Sequence, residues 1–201
     1  VKIDNKKENY LIYSDKITYK KNEELIFTEG NSRAIDRDVQ IDGADFKYNK
    51  ITNIIQAKGD VKIDNKKENY LIYSDNITYK KKLGKIFTKN NSRFISEGVF
   101  VNAQIFNYDQ NLKILNAEGD VQIDDKIENI LIKTDSITYH KLDNKIITKE
   151  KTKIFFENKY EFTSKNVILD RNLKQFSSNN KSNIEDDNSN FYTLSKFIYF
   201  Y

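Results

Sequence analysis

One stretch of fifteen residues, VKIDNKKENYLIYSD, occurs twice without a change, at 1–15 and again at 61–75. A diverged copy, VQIDDKIENILIKTD, follows at 121–135. The starts at Val1, Val61 and Val121 fix a period of 60 residues (61 − 1 = 121 − 61 = 60). A fixed period of this size marks units that bury an apolar face only by stacking on their neighbours. Function in such a chain is to be sought along a repetitive surface or groove, not in one isolated pocket.

Each unit contains a weaker half-repeat. Ile17-Thr18-Tyr19 corresponds to Phe46-Lys47-Tyr48, a shift of 29 residues (48 − 19), and the return step to Tyr79 is 31 (79 − 48). The same half-unit appears as DQNLKILNAEGD at 109–120 and, degraded, as DRNLKQFSS at 170–178. Apolar and polar residues alternate over short runs, as in Leu11, Tyr13, Ile17 and Tyr19 against Ser14, Lys16 and Thr18. Period two over short runs predicts half-buried strands. EGN at 29–31 and KGD at 58–60 carry turn chemistry, because Gly permits positive φ and Asn and Asp tolerate it. The polar segment 177–190 reads as a long turn, and FYTLSKFIYFY at 191–201 returns to strand-like alternation. No helical stripe competes. The expectation is all-β, one repetitive domain over 1–201 with units at 1–60, 61–120 and 121–180, then a polar turn and closing strand at 181–201. A β-solenoid and an elongated open jelly roll both fit this pattern.

Composition narrows the function. Bases outnumber acids only slightly (34 − 30 = +4), so no basic field marks the chain as a nucleic-acid binder despite its 13 Tyr and 13 Phe. There is no Cys, which excludes disulfides and Cys-ligated metals. No apolar run approaches the roughly 20 residues of a membrane helix. The chain has no Met and opens inside a repeat, so it is expected to be a fragment of a longer protein. His140 is the sole histidine and sits where Lys20 and Lys80 sit in the other units. No Ser-His-Asp set, zinc set or phosphate-cradling glycine loop can be assembled. Asp15, Asp75 and Asp135 recur at equal positions, which suits strand-end capping and not catalysis. The run Glu185-Asp186-Asp187 lacks the ligand spacing of a Ca²⁺ loop. An enzyme is not expected, nor a cofactor or a metal.

The half-unit has a recurring phrase: an aromatic or aliphatic, x, Tyr, a polar turn, an aliphatic pair, x, Ala, x, Gly, Asp, Val. It reads FKYNKITNIIQAKGDV at 46–61 and FNYDQNLKILNAEGDV at 106–121, after leads such as YSDKITY at 13–19 and YSDNITY at 73–79. This resembles the OstA-like family, the lipopolysaccharide-transport proteins LptA, LptC and the N-terminal part of LptD. The closing stretch, DRNLKQFSS followed by an Asp-rich turn and NFYTLSKFIYFY, resembles the stretch that joins the periplasmic domain of LptD to its outer-membrane barrel, so the resemblance is to the LptD type. The resemblance implies an open β-jelly roll (a β-taco) with an apolar groove for lipid A acyl chains. It also implies a periplasmic location attached to the outer membrane. The implied partners are lipopolysaccharide, other OstA-like domains docking edge to edge, and an outer-membrane barrel C-terminal to this segment. The near-identity of the first two units departs from the family pattern and points to a recent duplication.

The apolar face of the alternation supplies the groove candidates. They are Ile3, Leu11, Tyr13, Ile17, Tyr19, Phe27, Phe46 and Tyr48, with Ile63, Leu71, Tyr73, Ile77, Tyr79, Phe87, Phe106 and Tyr108 as their counterparts. The same stripe could equally close on itself as a core, because most apolar stripes do. Lysines recur at repeat edges (Lys6, Lys7, Lys20, Lys21 and Lys66, Lys67, Lys80, Lys81), where they read first as solvated turns. Arg33 and Arg93 keep one repeat position and are the candidates for contact with an anionic headgroup. A dry-cored structural or adhesive surface solenoid is the alternative to lipid carriage.

Overall fold

The computed structural model describes residues 1–6 and 10–201. Lys7 of the lysine set lies outside the described residues. The chain forms two compact units, 1–97 and 98–201.

In the first unit the strands are β1 (Lys2–Asn5), β2 (Tyr10–Tyr13), β3 (Lys16–Lys20), β4 (Leu25–Glu29), β5 (Ser32–Asp36), β6 (Val39–Gly43) and β7 (Asp45–Asn49). The long strands β8 (Ile54–Asn65) and β9 (Tyr70–Lys80) follow, then β10 (Lys85–Lys89) and β11 (Ser92–Ser96). All pairings are antiparallel. One wall runs β1-β2-β5-β6-β8-β9-β11. The other runs β3-β4-β7-β8-β9-β10. Both walls contain β8 and β9, so the unit is a single up-and-down meander folded along a crease that each long strand crosses at mid-length. β2-β3, β4-β5, β6-β7 and β10-β11 are the same crossing with the strand interrupted at the crease. Hairpin turns then lie only at the two free rims, here called the first and second lips.

The second unit repeats the plan. Its strands are β12 (Val99–Ala103), β13 (Ile105–Asp109), β14 (Ile114–Asp125), β15 (Ile130–His140), β16 (Lys145–Thr148) and β17 (Thr152–Phe156). They continue as β18 (Tyr160–Ser164), β19 (Ile168–Asp170), β20 (Gln175–Ser178), β21 (Ser182–Asp186), β22 (Phe191–Leu194) and β23 (Phe197–Phe200). The first wall is β12-β14-β15-β17-β18-β21-β22 and the second β13-β14-β15-β16-β19-β20-β23. The half-repeat is thus one out-and-back passage across the crease. The all-β, jelly-roll-like expectation holds. The segment at 177–190 is not one long turn, however, because its alternating residues supply β21.

The crease explains two departures from strict period two. EGN and KGD are not turns that reverse the chain. Gly59 and Asp60 both have positive φ (78° and 47°) inside β8, and Gly119 and Asp120 repeat this inside β14 (80° and 48°). Two successive left-handed residues bend the strand and shift its register, as the ladder records between Lys58 and Val61. The inward set therefore steps by four on passing from second wall to first (Thr88 to Ser92) but by three on passing back (Ser74 to Ile77). The odd step exchanges inside for outside.

Small hydroxyl residues line the crease. In the first unit Thr28 and Ser32 hydroxyls lie 2.6 Å apart, and Ser32 donates to the Ala44 carbonyl at 2.8 Å. Ser14 donates to the Glu29 and Gly30 carbonyls at 2.9 and 2.8 Å. Ser74, Thr88 and Ser92 repeat the set, and Thr134, Thr148 and Thr152 repeat it in the second unit. These side chains take up backbone groups that the bend removes from the ladder, which would otherwise be buried without partners.

Candidate functional site

Alternation sends every second side chain between the walls. In the first unit this inner face comprises Tyr10, Ile12, Ala34, Ile41, Ile63 and Ile72 from the first wall, and Ile26, Phe46, Tyr48, Ile55, Ile77 and Tyr79 from the second, all buried. The walls meet through Tyr10 and Tyr48, edge to face at 5.5 Å between centroids. In the second unit Phe156 and Phe162 of the first wall meet Phe176 of the second at 5.1 and 5.3 Å. Phe197 and Tyr199 extend that cluster.

The space between the walls changes along the first unit. Beside Tyr10, Ile12, Ile41, Tyr48 and Tyr79 it is a slit of about 20 Å³, room for one water molecule. At the edge made by β1 and β3 it widens into a cleft of about 620 Å³ lined by Ile3, Tyr10, Tyr19 and Ile26, with Asp4, Asn5, Lys6 and Lys50 at its rim. Lys50 stands 5.3 Å from the Tyr19 ring centroid and pairs with Glu24 at 2.5 Å. That hydrogen bond raises the Lys50 pKa and lowers that of Glu24. An apolar cleft with a charged rim suits an amphipathic guest.

The mouth between the lips is crossed by ion pairs. Lys81 of the second lip reaches Asp36 of the first at 2.9 Å, with its ammonium 5.6 Å from both the Tyr10 and Tyr48 rings. In the second unit Arg171 donates from Nε to Asp125 at 2.6 Å, both side chains being buried. Burial opposes the Arg171 charge, but Asp125 outweighs it and holds the guanidinium pKa above its ordinary value. Parting the lips requires these pairs to break.

The candidate groove residues divide by face. Ile3, Ile17, Tyr19, Phe46, Tyr48, Ile63, Ile77, Tyr79, Phe106 and Tyr108 lie on the inner face, with Ile3, Ile17 and Tyr19 only partly covered at the edge. Leu11, Tyr13, Leu71 and Tyr73 do not. They are half-buried on the outer side of the first wall, because the three-residue crease step separates their parity from that of Ile17 and Ile77. Phe27 and Phe87 are likewise outside, on the second wall, where the inward residues are Ile26, Thr28, Ile86 and Thr88. There they border an outer groove of about 900 Å³ together with Lys47, Gln56 and Thr78. Lys20 and Lys47 stand 5.5 and 5.8 Å from the Phe27 ring, and Lys80 4.9 Å from Phe87.

Arg33 lies opposite Asp42 on the outer first wall and pairs with it at 2.5 Å, so its charge is already matched. Arg93 occupies the same wall opposite Tyr73. Neither faces the inner cleft. Sequence reasoning missed Ile12, Ile26, Ile72 and Ile86, and with them the hydroxyl spine. The spine had a signal in Thr-x-x-x-Ser at 28–32 and 88–92. Among the described residues no group of three metal-ligating side chains converges, and no helix is long and apolar enough to cross a membrane.

No family model and no curated protein matches the chain. Among solved structures it is similar to LptH from Pseudomonas aeruginosa, the LptA-homologous periplasmic component of the conserved lipopolysaccharide transport device. The TM-score is 0.52 at 14% identity, over 55% of this chain and 82% of that one. The chain shares the LptH fold. At the level of fold, the resemblance to the OstA-like proteins is therefore supported by structure as well as by motif. The LptH-like meander accounts for the Ala-x-Gly-Asp-Val phrase. Its Ala is inward on the second wall (Ala57, Ala117), its Gly-Asp is the crease, and its Val is inward on the first wall (Val61, Val121).

Proposed function

We propose that this chain is a periplasmic lipopolysaccharide-transport module that holds lipid A acyl chains between its two walls. The observation that carries the proposal is the cleft at Ile3, Tyr10, Tyr19 and Ile26, which leads from an open edge into a continuous apolar inner face. The LptH-like fold supports it. Acyl chains entering there gain roughly 25 cal/mol per Å² of apolar surface withdrawn from water. Carriage makes and breaks no bonds, so the module is proposed to act without enzymatic chemistry and without a cofactor. Among the described residues β1 pairs only with β2 and β3 only with β4, which suits docking of a further β-jelly-roll module edge to edge. The finer assignment is to the LptD type, joined to an outer-membrane barrel, and rests on the closing sequence 170–201.

The 20 Å³ slit and the lip-to-lip ion pairs favour a second function, a dry-cored scaffold with no lipid ligand. Photo-crosslinking to lipopolysaccharide separates the two. A photoreactive residue at Tyr19, Phe46, Tyr79 or Phe106 is expected to form adducts, and one at outward Lys47 or Lys80 is not. A folded protein with no adduct at any inner position would leave the scaffold as the better account.

A further inference from the structure

One rung of side chains crosses the outer face of the second wall without a break. Cross-strand partners place it in the order Thr18, Phe27, Lys47, Gln56, Thr78 and Phe87, one from each of β3, β4, β7, β8, β9 and β10. All six lie in the first unit and border the outer groove of about 900 Å³. Neighbouring strands lie about 4.8 Å apart, so the four strand steps from Phe27 to Phe87 span about 19 Å. Between the rings the floor carries one ammonium, one amide and one hydroxyl, from Lys47, Gln56 and Thr78. A floor of this length suits an extended chain better than a small molecule.

The fold does not require these residues. Phe27 and Phe87 recur one period later as Ile147. The corresponding rung of the second unit reads Asn107, Asn116, Thr138, Ile147 and Ile168, with no ring and no cation. Its polar groups satisfy each other, the Thr138 hydroxyl donating to Asn116 Oδ1 at 2.9 Å. In the first unit the Gln56 amide and the Thr18 and Thr78 hydroxyls hold no side-chain hydrogen bond to any described residue. Their donors and acceptors are open to a guest.

Charge at the groove is one-sided. Its acids are taken, Glu29 by Lys16 at 3.0 Å and Asp45 by Lys58 at 3.3 Å. Lys47, Lys80 and Lys89 have no acid partner among the described residues. Lys47 and Lys80 stand only against rings, 5.8 Å from Phe27 and 4.9 Å from Phe87. A cation–π contact at an exposed site is worth about 0.5–1 kcal/mol and leaves the ammonium charge uncompensated, so an anion displaces it at small cost.

We infer that this outer groove binds a linear acidic glycan. Sugar rings pack on Phe27 and Phe87, hydroxyls bond Gln56 and Thr78, and the acidic groups meet Lys47, Lys80 and Lys89. A glycan offers apolar ring faces, hydroxyls that both donate and accept, and charges at intervals along one chain, which is the chemistry of this floor. A peptide would instead seek the backbone of a free strand edge, and every strand between β3 and β10 is paired on both sides here. A nucleic acid would call for a stronger basic field. The groove is on the opposite face of the wall from the inner cleft, so the inference goes beyond carriage and does not depend on it.

The test is calorimetric titration of the full chain with hexagalacturonate, with neutral maltohexaose and with oligothymidylate. Hexagalacturonate is expected to bind, more weakly as salt is raised, and maltohexaose to bind at least about tenfold more weakly. F27A/F87A should lose on the order of a hundredfold in affinity for the acidic hexamer, as two apolar contacts go. Lys47→Gln, at a fully solvated site, should lose about fivefold and keeps the test open should the double variant fold poorly. Ile147→Ala, at the equivalent place in the second unit, should bind as the parent does. Lipopolysaccharide held between the walls should not displace the hexamer, in keeping with adducts expected inside and not at Lys47 or Lys80. No binding of hexagalacturonate by the parent, equal binding of maltohexaose, or tighter binding of oligothymidylate would overturn the inference. Unchanged affinity in a folded F27A/F87A or in Lys47→Gln, or displacement by lipopolysaccharide, would overturn it as well. Adducts at Tyr79 report separately on carriage, so the two proposals can fail independently.

Discussion

Residues 1–15 and 61–75 have the same letters and different fates. Val1 is 71% exposed and Val61 fully buried, and Tyr19 is 43% exposed where Tyr79 is 7%. The difference is made by neighbours. β8 and β9 are paired on both sides along both walls, while β1 and β3 each have one partner among the described residues. A repeat of this kind does not contain its own core; adjacent strands complete it. The lip ion pairs show the same contrast, Arg171–Asp125 being buried and Lys81–Asp36 only half so.

The largest separation between equivalent positions is expected at those pairs. Arg171→Met leaves Asp125 buried without its charge partner and should cost about 3–5 kcal/mol in urea unfolding. Lys81→Met, beside the more exposed Asp36, should cost about 1 kcal/mol or less. Equal costs would mean that burial does not govern the mouth. Next come the two copies themselves. Ile63→Ala should cost about 2–5 kcal/mol, as a truncation at a fully buried site. Ile3→Ala, at the edge, should cost under about 1 kcal/mol. At the crease the copies should converge instead. Thr28→Val and Thr88→Val each remove the buried hydroxyl bond to Ser32 or Ser92, and each should cost about 1–3 kcal/mol. A large gap between them would show that the spine, too, depends on position in the array.

A smaller effect concerns pH. Burial opposes the charge of Asp170, but Leu173 and Asn172 N–H groups and the Lys145 ammonium at 3.1 Å hold its carboxyl below the usual range. A depressed pKa gives stability that is complete above the unfolded value near 4 and is lost as pH falls through the folded value. Asp170→Asn should therefore be less stable than the parent at pH 7, with the gap closing in acid. A gap that persisted in acid would show that the side chain acts through its hydrogen bonds alone.

The strands, the half-repeat and the inward positions of the second wall could be read from period two, as Phe46, Tyr48, Ile77 and Tyr79 show. The outward placement of Leu11, Tyr13, Leu71 and Tyr73 could not, since nothing local says that Ser14-Asp15 and Ser74-Asp75 exchange the faces. That step is set by how the strand crosses the crease. Phe27 and Phe87 lie outside for another reason: either parity of that strand satisfies alternation, and the inward places go to their aliphatic neighbours Ile26 and Ile86. Lip turns look alike in sequence whether they face a partner, a lipid or water.

Carriage between the walls requires the lips to part. The most direct measurement is the distance between spin labels on exposed Lys67 of the first lip and Lys82 of the second, with and without lipopolysaccharide. If acyl chains enter the inner face, the distance lengthens on addition of lipopolysaccharide, and lengthens further when Lys81→Met has removed the pair to Asp36. A distance unchanged at saturating lipopolysaccharide, in both proteins, would contradict carriage and leave a closed scaffold.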